Sequence, residues 1–147
     1  MKSLIFIFTL LIISTIGFGQ NLIEAESPYA AEVTLNRLRE NVKNKGLNVF
    51  TEIDHSQAAQ KSNMKLDPTF VLIFGNPKVG TRLMQADPRL GIELPLKILV
   101  YENNGITQIA YVDPVIYGEI YNLKEQEDIL QNMSNLLKTI VAEVVKP

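Results

Sequence analysis

Residues 69–101, TFVLIFGNPKVGTRLMQADPRLGIELPLKILVY, decide how this chain folds. Phe70 to Phe74 form an apolar run without alternation, the pattern of a central strand covered on both faces. The run breaks at Gly75-Asn76-Pro77. Asn is a good helix N-cap and the fixed φ of Pro suits the first helical position, so a helix is predicted to begin there. Val79, Leu83 and Met84 mark its buried side. Pro88 ends that helix or opens a second short turn, and Gly91 and Pro95 punctuate the return. Residues 96–101, LKILVY, then read as another strand. The stretch is strand, turn, helix, strand, and it holds most of the residues with special backbone demands.

Upstream, residues 22–25 form a short strand that Ser27-Pro28-Tyr29 closes, because Pro cannot donate to a ladder. Ala31, Leu35, Leu38 and Val42 recur at helical spacing within a helix predicted over 31–45. Gly46 is its natural left-handed stop. Residues 47–53, LNVFTEI, alternate apolar and polar, which predicts a strand with one buried face. Asp54 or Ser56 can cap a short helix after it.

Downstream, Asn103-Asn104-Gly105 is a hairpin signal, since Asn-Gly tolerates the positive φ of a tight turn. Residues 106–112 are the partner strand. A short helical turn is expected over 115–121. A last helix over about 123–145 carries Ile129, Leu130, Met133, Leu136, Leu137, Ile140, Val141 and Val144 at helical spacing, with Asn122 and Glu125 as a reciprocal cap. Any apolar width beyond what the core needs would be a dimer surface. The order β-α-β-α-β-α-β-β-α predicts an α+β single domain, a mainly antiparallel sheet of about five strands packed with helices.

The 147 residues suit one domain, and 46% hydrophobic with 20% charged residues suits a globular one. There is no Cys and one His. Disulfides, thiolate catalysis and Cys-type metal sites are thereby excluded, as is a multi-His metal site within one protomer. No cofactor is expected. Residues 1–19 read as a signal peptide: Lys2, an apolar run broken by Thr9, Ser14 and Thr15, then Gly17 and Gly19 before a cut at Gln20. An uncleaved anchor is the alternative, but the run falls short of the ~20 residues that span a bilayer comfortably. The expected product is a periplasmic or secreted domain, residues 20–147, with no membrane contact after cleavage. Its 13 basic and 16 acidic side chains give a net charge of −3, well mixed along the chain. That balance argues against nucleic acid as a partner, because such binding rests on phosphate neutralisation.

Several short motifs together resemble one family. Ile53-Asp54-His55 with Ala58-Ala59, Leu72-Ile73-Phe74-Gly75-Asn76-Pro77-Lys78, Leu83-Met84-Gln85 and Leu94-Pro95-Leu96-Lys97 are similar to the DUF302 family of small bacterial domains. Ser27-Pro28-Tyr29 and Asp113-Pro114 sit where that family has its flanking signatures, so the resemblance covers roughly residues 24–123. It implies a compact α/β domain often seen as a dimer, and it brings no established reaction. Branches of the family carry Cys where this chain has Gly75 or Leu96, so any thiol or metal role of those branches does not transfer.

Candidate site residues are His55, Gly75, Asn76, Pro77 and Lys78. Gly75 tolerates unusual φ and lets a ligand approach closely. Amides at the helix start after Asn76 could hold a small anionic ligand, with Lys78 and Arg82 adding charge. The competing explanation is an ordinary strand-to-helix turn with solvated cations. His55 is the only side chain that titrates near neutral pH unperturbed; it could contact ligand, or simply open a helix. No residue is assigned as catalytic. The sequence therefore points to an exported small ligand- or protein-binding module, expected as a homodimer. The alternative is an enzyme using His55 as general acid–base, with the Gly75-Asn76-Pro77 turn as an oxyanion site.

Overall fold

A computed structural model describes residues 21–121 and 123–147. The expected signal segment and Asn122 lie outside the described residues. Five strands, β1 (Leu22–Ser27), β2 (Asn48–Asp54), β3 (Thr69–Gly75), β4 (Leu96–Asn103) and β5 (Ile106–Val112), form one antiparallel sheet in the order β1-β5-β4-β3-β2. The helices are α1 (Ala31–Asn44), α2 (His55–Lys61), α3 (Pro77–Ala86), α4 (Ile116–Ile120) and α5 (Glu127–Val144). This is a single α+β domain in the predicted element order.

Local chemistry accounts for the joints. Gly46, at φ +72°, terminates α1, and the Leu47 amide reaches back to the Val42 carbonyl. Asn104 and Gly105 both take positive φ and close the β4–β5 hairpin tightly. Ser27 Oγ and Thr34 Oγ1 lie 2.7 Å apart and buried, which ties the end of β1 to the first turn of α1. Asp54 Oδ1 accepts from the Gln57 amide at 2.7 Å and caps α2.

The core lies on one side of the sheet. Antiparallel pairs Leu72↔Ile98 and Val100↔Ile109 align the buried residues of β3, β4 and β5. Leu35, Leu38 and Val42 of α1 and Leu130, Leu137, Ile140 and Val141 of α5 cover them. The opposite face carries Val71, Ile73, Leu99 and Tyr101, and no described helix packs over it. The apolar run of β3 therefore does not mark a strand covered on both faces, and β4, not β3, is central. Val71 and Ile73 stay half-buried between the neighbouring strands β2 and β4.

Two further expectations change. The β2 pattern predicted a buried face, but β2 is an edge strand whose register slips between Val49 and Thr51. The bulge at Phe50 leaves that ring 49% exposed, and Ile53 turns to the uncovered face. The last helix begins at Glu127 after a short 3-10 turn, Lys124–Gln126, and the Gln126 side chain makes no cap bond to it. Its far end is held instead by α1: Arg37 donates to the Val144 carbonyl at 2.8 Å and to Lys146 O at 2.7 Å, over the ring of Tyr29. These contacts satisfy C-terminal carbonyls that the helix cannot satisfy itself.

One-sided burial has a direct test. Leu72→Ala should cost about 2–5 kcal/mol in urea unfolding, whereas Ile73→Ala, one residue away on the open face, should cost less than half as much.

Candidate functional site

Antiparallel pairing fixes which loops share an end of the sheet. Gly75, the last residue of β3, pairs with Asn48, the first of β2. Asp54, at the far end of β2, pairs with Phe70. His55 follows Asp54 and therefore sits five residues of β3 away from Gly75, about 17 Å at ~3.4 Å per residue. The structure does not bring His55 to the Gly75-Asn76-Pro77-Lys78 turn. The reason is the antiparallel pairing of β2 and β3, which puts their C-terminal ends at opposite ends of the sheet. His55 is exposed at the start of α2, where Ser56 and Gln57 engage the neighbouring Asp54. The Ser56 hydroxyl and the Gln57 amide hold the Asp54 carboxyl below its ordinary value.

The turn itself folds as its residues dictate. Asn76 Oδ1 accepts from the Lys78 amide at 3.0 Å, and Pro77 occupies the first helical position. Gly75 is not in the left-handed region, since Gly46 and Gly105 are the glycines with positive φ among the described residues. A Cβ on Gly75 would lie 3.8 Å from both Phe50 and Pro95. Its lack of a side chain thus leaves space and is no answer to backbone strain.

That space belongs to a groove of about 330 Å³. Gly75, Asn76 and Pro77 form one rim, and Val79, Gly80, Thr81 and Met84 of α3 form a wall. Leu47, Phe50, Leu94, Pro95 and Leu96 contribute from the sheet end, and Met133 and Leu136 from α5. Among the described residues, no charged side chain lines it. Of the five residues nominated from sequence, Gly75, Asn76 and Pro77 line the groove, Lys78 lies just outside it, and His55 is remote. Sequence reading missed Phe50, Met84, Leu94, Met133 and Leu136. The available signals were weak: Met84 sits beside the buried stripe of Leu83, and Leu136 makes the α5 stripe wider than the core requires.

The segment that leads to Leu94 carries a cluster of polar contacts. Asp87 caps the 3-10 turn Pro88–Ile92, accepting from the Arg89 amide at 3.0 Å. The Arg89 guanidinium grips the same carboxylate at 3.0 and 2.6 Å and pushes its pKa down. Tyr121 donates to Glu93 Oε1 at 2.9 Å, and Lys97 Nζ donates to the Glu93 carbonyl at 2.7 Å. Burial, and then the Glu93 bond, raises the Tyr121 phenol. Among the described residues, no group of three or more His, Cys, Asp or Glu side chains could hold a metal ion.

A one-sided, five-stranded α+β sandwich with an apolar groove at one sheet end defines the class. The chain belongs to the DUF302 family: the description "Domain of unknown function DUF302" matches residues 23–140. A crystal structure titled as an uncharacterized conserved protein DUF302 from Bacillus stearothermophilus has the same fold. It superposes with a TM-score of 0.78 over 85% of this chain and 98% of that one, at 21% identity. Two relatives are each named fluoride-specific ion channel FluC 1, from Brucella suis biovar 1 (strain 1330) and Brucella abortus biovar 1 (strain 9-941). Each is 34% identical over 109 residues, which is 74% of this chain. The matched region is 43% and 40% of those proteins, so the chain spans about two-fifths of the relatives' length.

Asn76→Ala should cost about 1 kcal/mol of stability, the value of an Asn cap. Chemical denaturation of the purified domain checks it, and an unchanged midpoint would mean that Pro77 alone fixes the helix start.

Proposed function

We propose that this chain is an exported ligand-binding module whose site is the apolar groove beside the Gly75-Asn76-Pro77 turn. The groove itself carries the reading. Small-molecule sites are mostly apolar concavities of ~300–1,000 Å³ with a few placed polar groups. This one has that size and lining, with Asn76 and Thr81 as its polar side chains. The export part rests on residues 1–19. Among the described residues, no helix is long and apolar enough to cross a membrane. A bare anion seated on the turn amides is less favoured, because Pro77 has no N–H and Asn76 already takes the Lys78 N–H. The enzyme alternative has lost its acid–base group, since His55 stands at the other end of the sheet.

The homodimer belongs to the same reading. On the uncovered face Val71 pairs with Leu99 and Leu99 with Ala110, with Ile73, Ile53, Leu22 and Val112 on the same side and Glu24 and Lys97 between them. Exposed apolar side chains collected on one sheet face support an interaction surface there. A second reading comes from the Brucella relatives, where the homologous region shares one chain with a longer remainder. Those relatives carry the name of an ion channel, and this chain covers about two-fifths of their length. On that reading the module works beside a membrane-spanning partner.

The groove is tested with N-phenyl-1-naphthylamine, an uncharged apolar fluorophore. Its emission should rise with the wild-type domain and stay flat with Gly80→Phe. A Cβ at Gly80 meets Leu94 Cδ1 at 3.8 Å and Met84 Cε at 4.0 Å, so a ring there fills the groove without a backbone clash. Equal emission with a folded Gly80→Phe variant would sink the groove reading. Light scattering should give a dimer mass for the wild type and a monomer mass for Leu99→Lys, with the circular dichroism of the two alike. A monomeric wild type would contradict the dimer.

A further inference from the structure

Resting on the groove reading, we propose that the ligand is a single-chain amphiphile, its hydrocarbon chain in the groove and its anionic head against Lys78 and Arg82. Chemistry on two adjacent faces of α3 carries this. Pro77, Thr81 and Met84 recur at i, i+4 and i+7 and face the groove. Lys78 and Arg82, at i and i+4, form the neighbouring row on the solvent side of Thr81. Both are exposed, and among the described residues neither makes a side-chain hydrogen bond or ion pair. Long basic side chains can lay their stems along apolar surface and place their charge at its edge.

Charge distribution points the same way. Residues 77–97, which build α3 and the Leu94 wall, hold four basic and two acidic side chains. The rest of residues 20–147 hold nine basic and fourteen acidic. Both acids of the groove segment are engaged, Asp87 by Arg89 and Glu93 by the Tyr121 hydroxyl. In an acidic protein the segment beside the apolar groove thus carries a local positive excess, with Lys78 and Arg82 as its unpaired cations among the described residues. A neutral apolar ligand would not use those cations. A small hydrophilic anion would not use the groove.

Competition against bound N-phenyl-1-naphthylamine separates the possibilities. Dodecanoate, kept below its micellar concentration, should displace the probe about 3- to 10-fold more effectively than dodecan-1-ol, the gain expected from one or two partly screened charge contacts. The gap should close in the Lys78→Gln/Arg82→Gln double variant and narrow in high salt. It should persist in Lys61→Gln/Lys65→Gln, whose cations lie at the opposite end of the sheet. Equal displacement by acid and alcohol, or a gap unchanged in the double variant, overturns the proposal and leaves the groove as an apolar site. Failure of the probe to bind at all removes the groove reading itself. Sedimentation with phosphatidylglycerol vesicles, without competition by dodecanoate, would replace the soluble amphiphile by a lipid surface.

Discussion

Everything in this fold depends on covering one face of a five-stranded antiparallel sheet with two long helices. α1 and α5 do this with stripes at helical spacing, and the sheet answers with Leu72, Phe74, Ile98, Val100 and Ile109, all fully buried or nearly so. A buried aliphatic side chain contributes about 1.5–3 kcal/mol, so this layer supplies most of the driving force. The helices' own ends are then fixed by cheap local devices: Gly46 at one end of α1, and Arg37 gripping the last carbonyls of α5. The remaining helices carry little core duty: α3 adds Leu83, α4 adds Tyr117, and α2 buries none of its residues. α2, α3 and α4 sit at sheet ends, where their sequences answer to caps and loops more than to packing.

The groove follows from that division of labour. β3 and β4 are joined by α3 and the turn after it, a connection too long to lie flat against the sheet edge. α3 leans on the core through Leu83 alone at full burial. Its Pro77–Thr81–Met84 side stands away from the sheet end, and the α5 stripe extends past the core to meet it with Met133 and Leu136. The gap stays open because Gly75 and Gly80 present no side chain toward it. It stays apolar because every charged group on the connection is turned outward or paired.

Legibility tracked the source of each signal. Helix and hairpin positions rest on local chemistry, and Asn76-Pro77, Gly46 and Asn104-Gly105 acted as their residue types require. The length of the last helix was misread because the Lys124–Gln126 turn is a tighter version of the same periodicity. Layering was not legible. Val71 and Ile73 look buried in sequence, yet their partners across the strand are Leu99 and Lys97, with nothing above them. A continuous apolar strand reports that both faces avoid water, and it does not say whether a helix or another chain does the covering. The candidate site was half legible for a related reason. Gly75, Asn76 and Pro77 are adjacent in sequence and must be adjacent in space. His55 could be joined to them, or separated from them, only by strand pairing, which spacing does not encode.

Phe50 shows how the two uncovered surfaces are connected. A regular β2 would send this ring to one face as part of an alternating pattern. The bulge inserts it as an extra residue, so Val49 can pair with Phe74 while Thr51 pairs with Ile73. The ring then swings to the sheet end, against the space over Gly75. Gly75 shares the open-face parity of Val71 and Ile73, so Phe50 stands where the groove meets the uncovered sheet face. A bulge also spoils the edge of β2 as a template for further strand pairing. One irregularity thus interrupts the β2 edge, walls the groove, and makes a single aromatic side chain common to the groove and to the apolar face beside it.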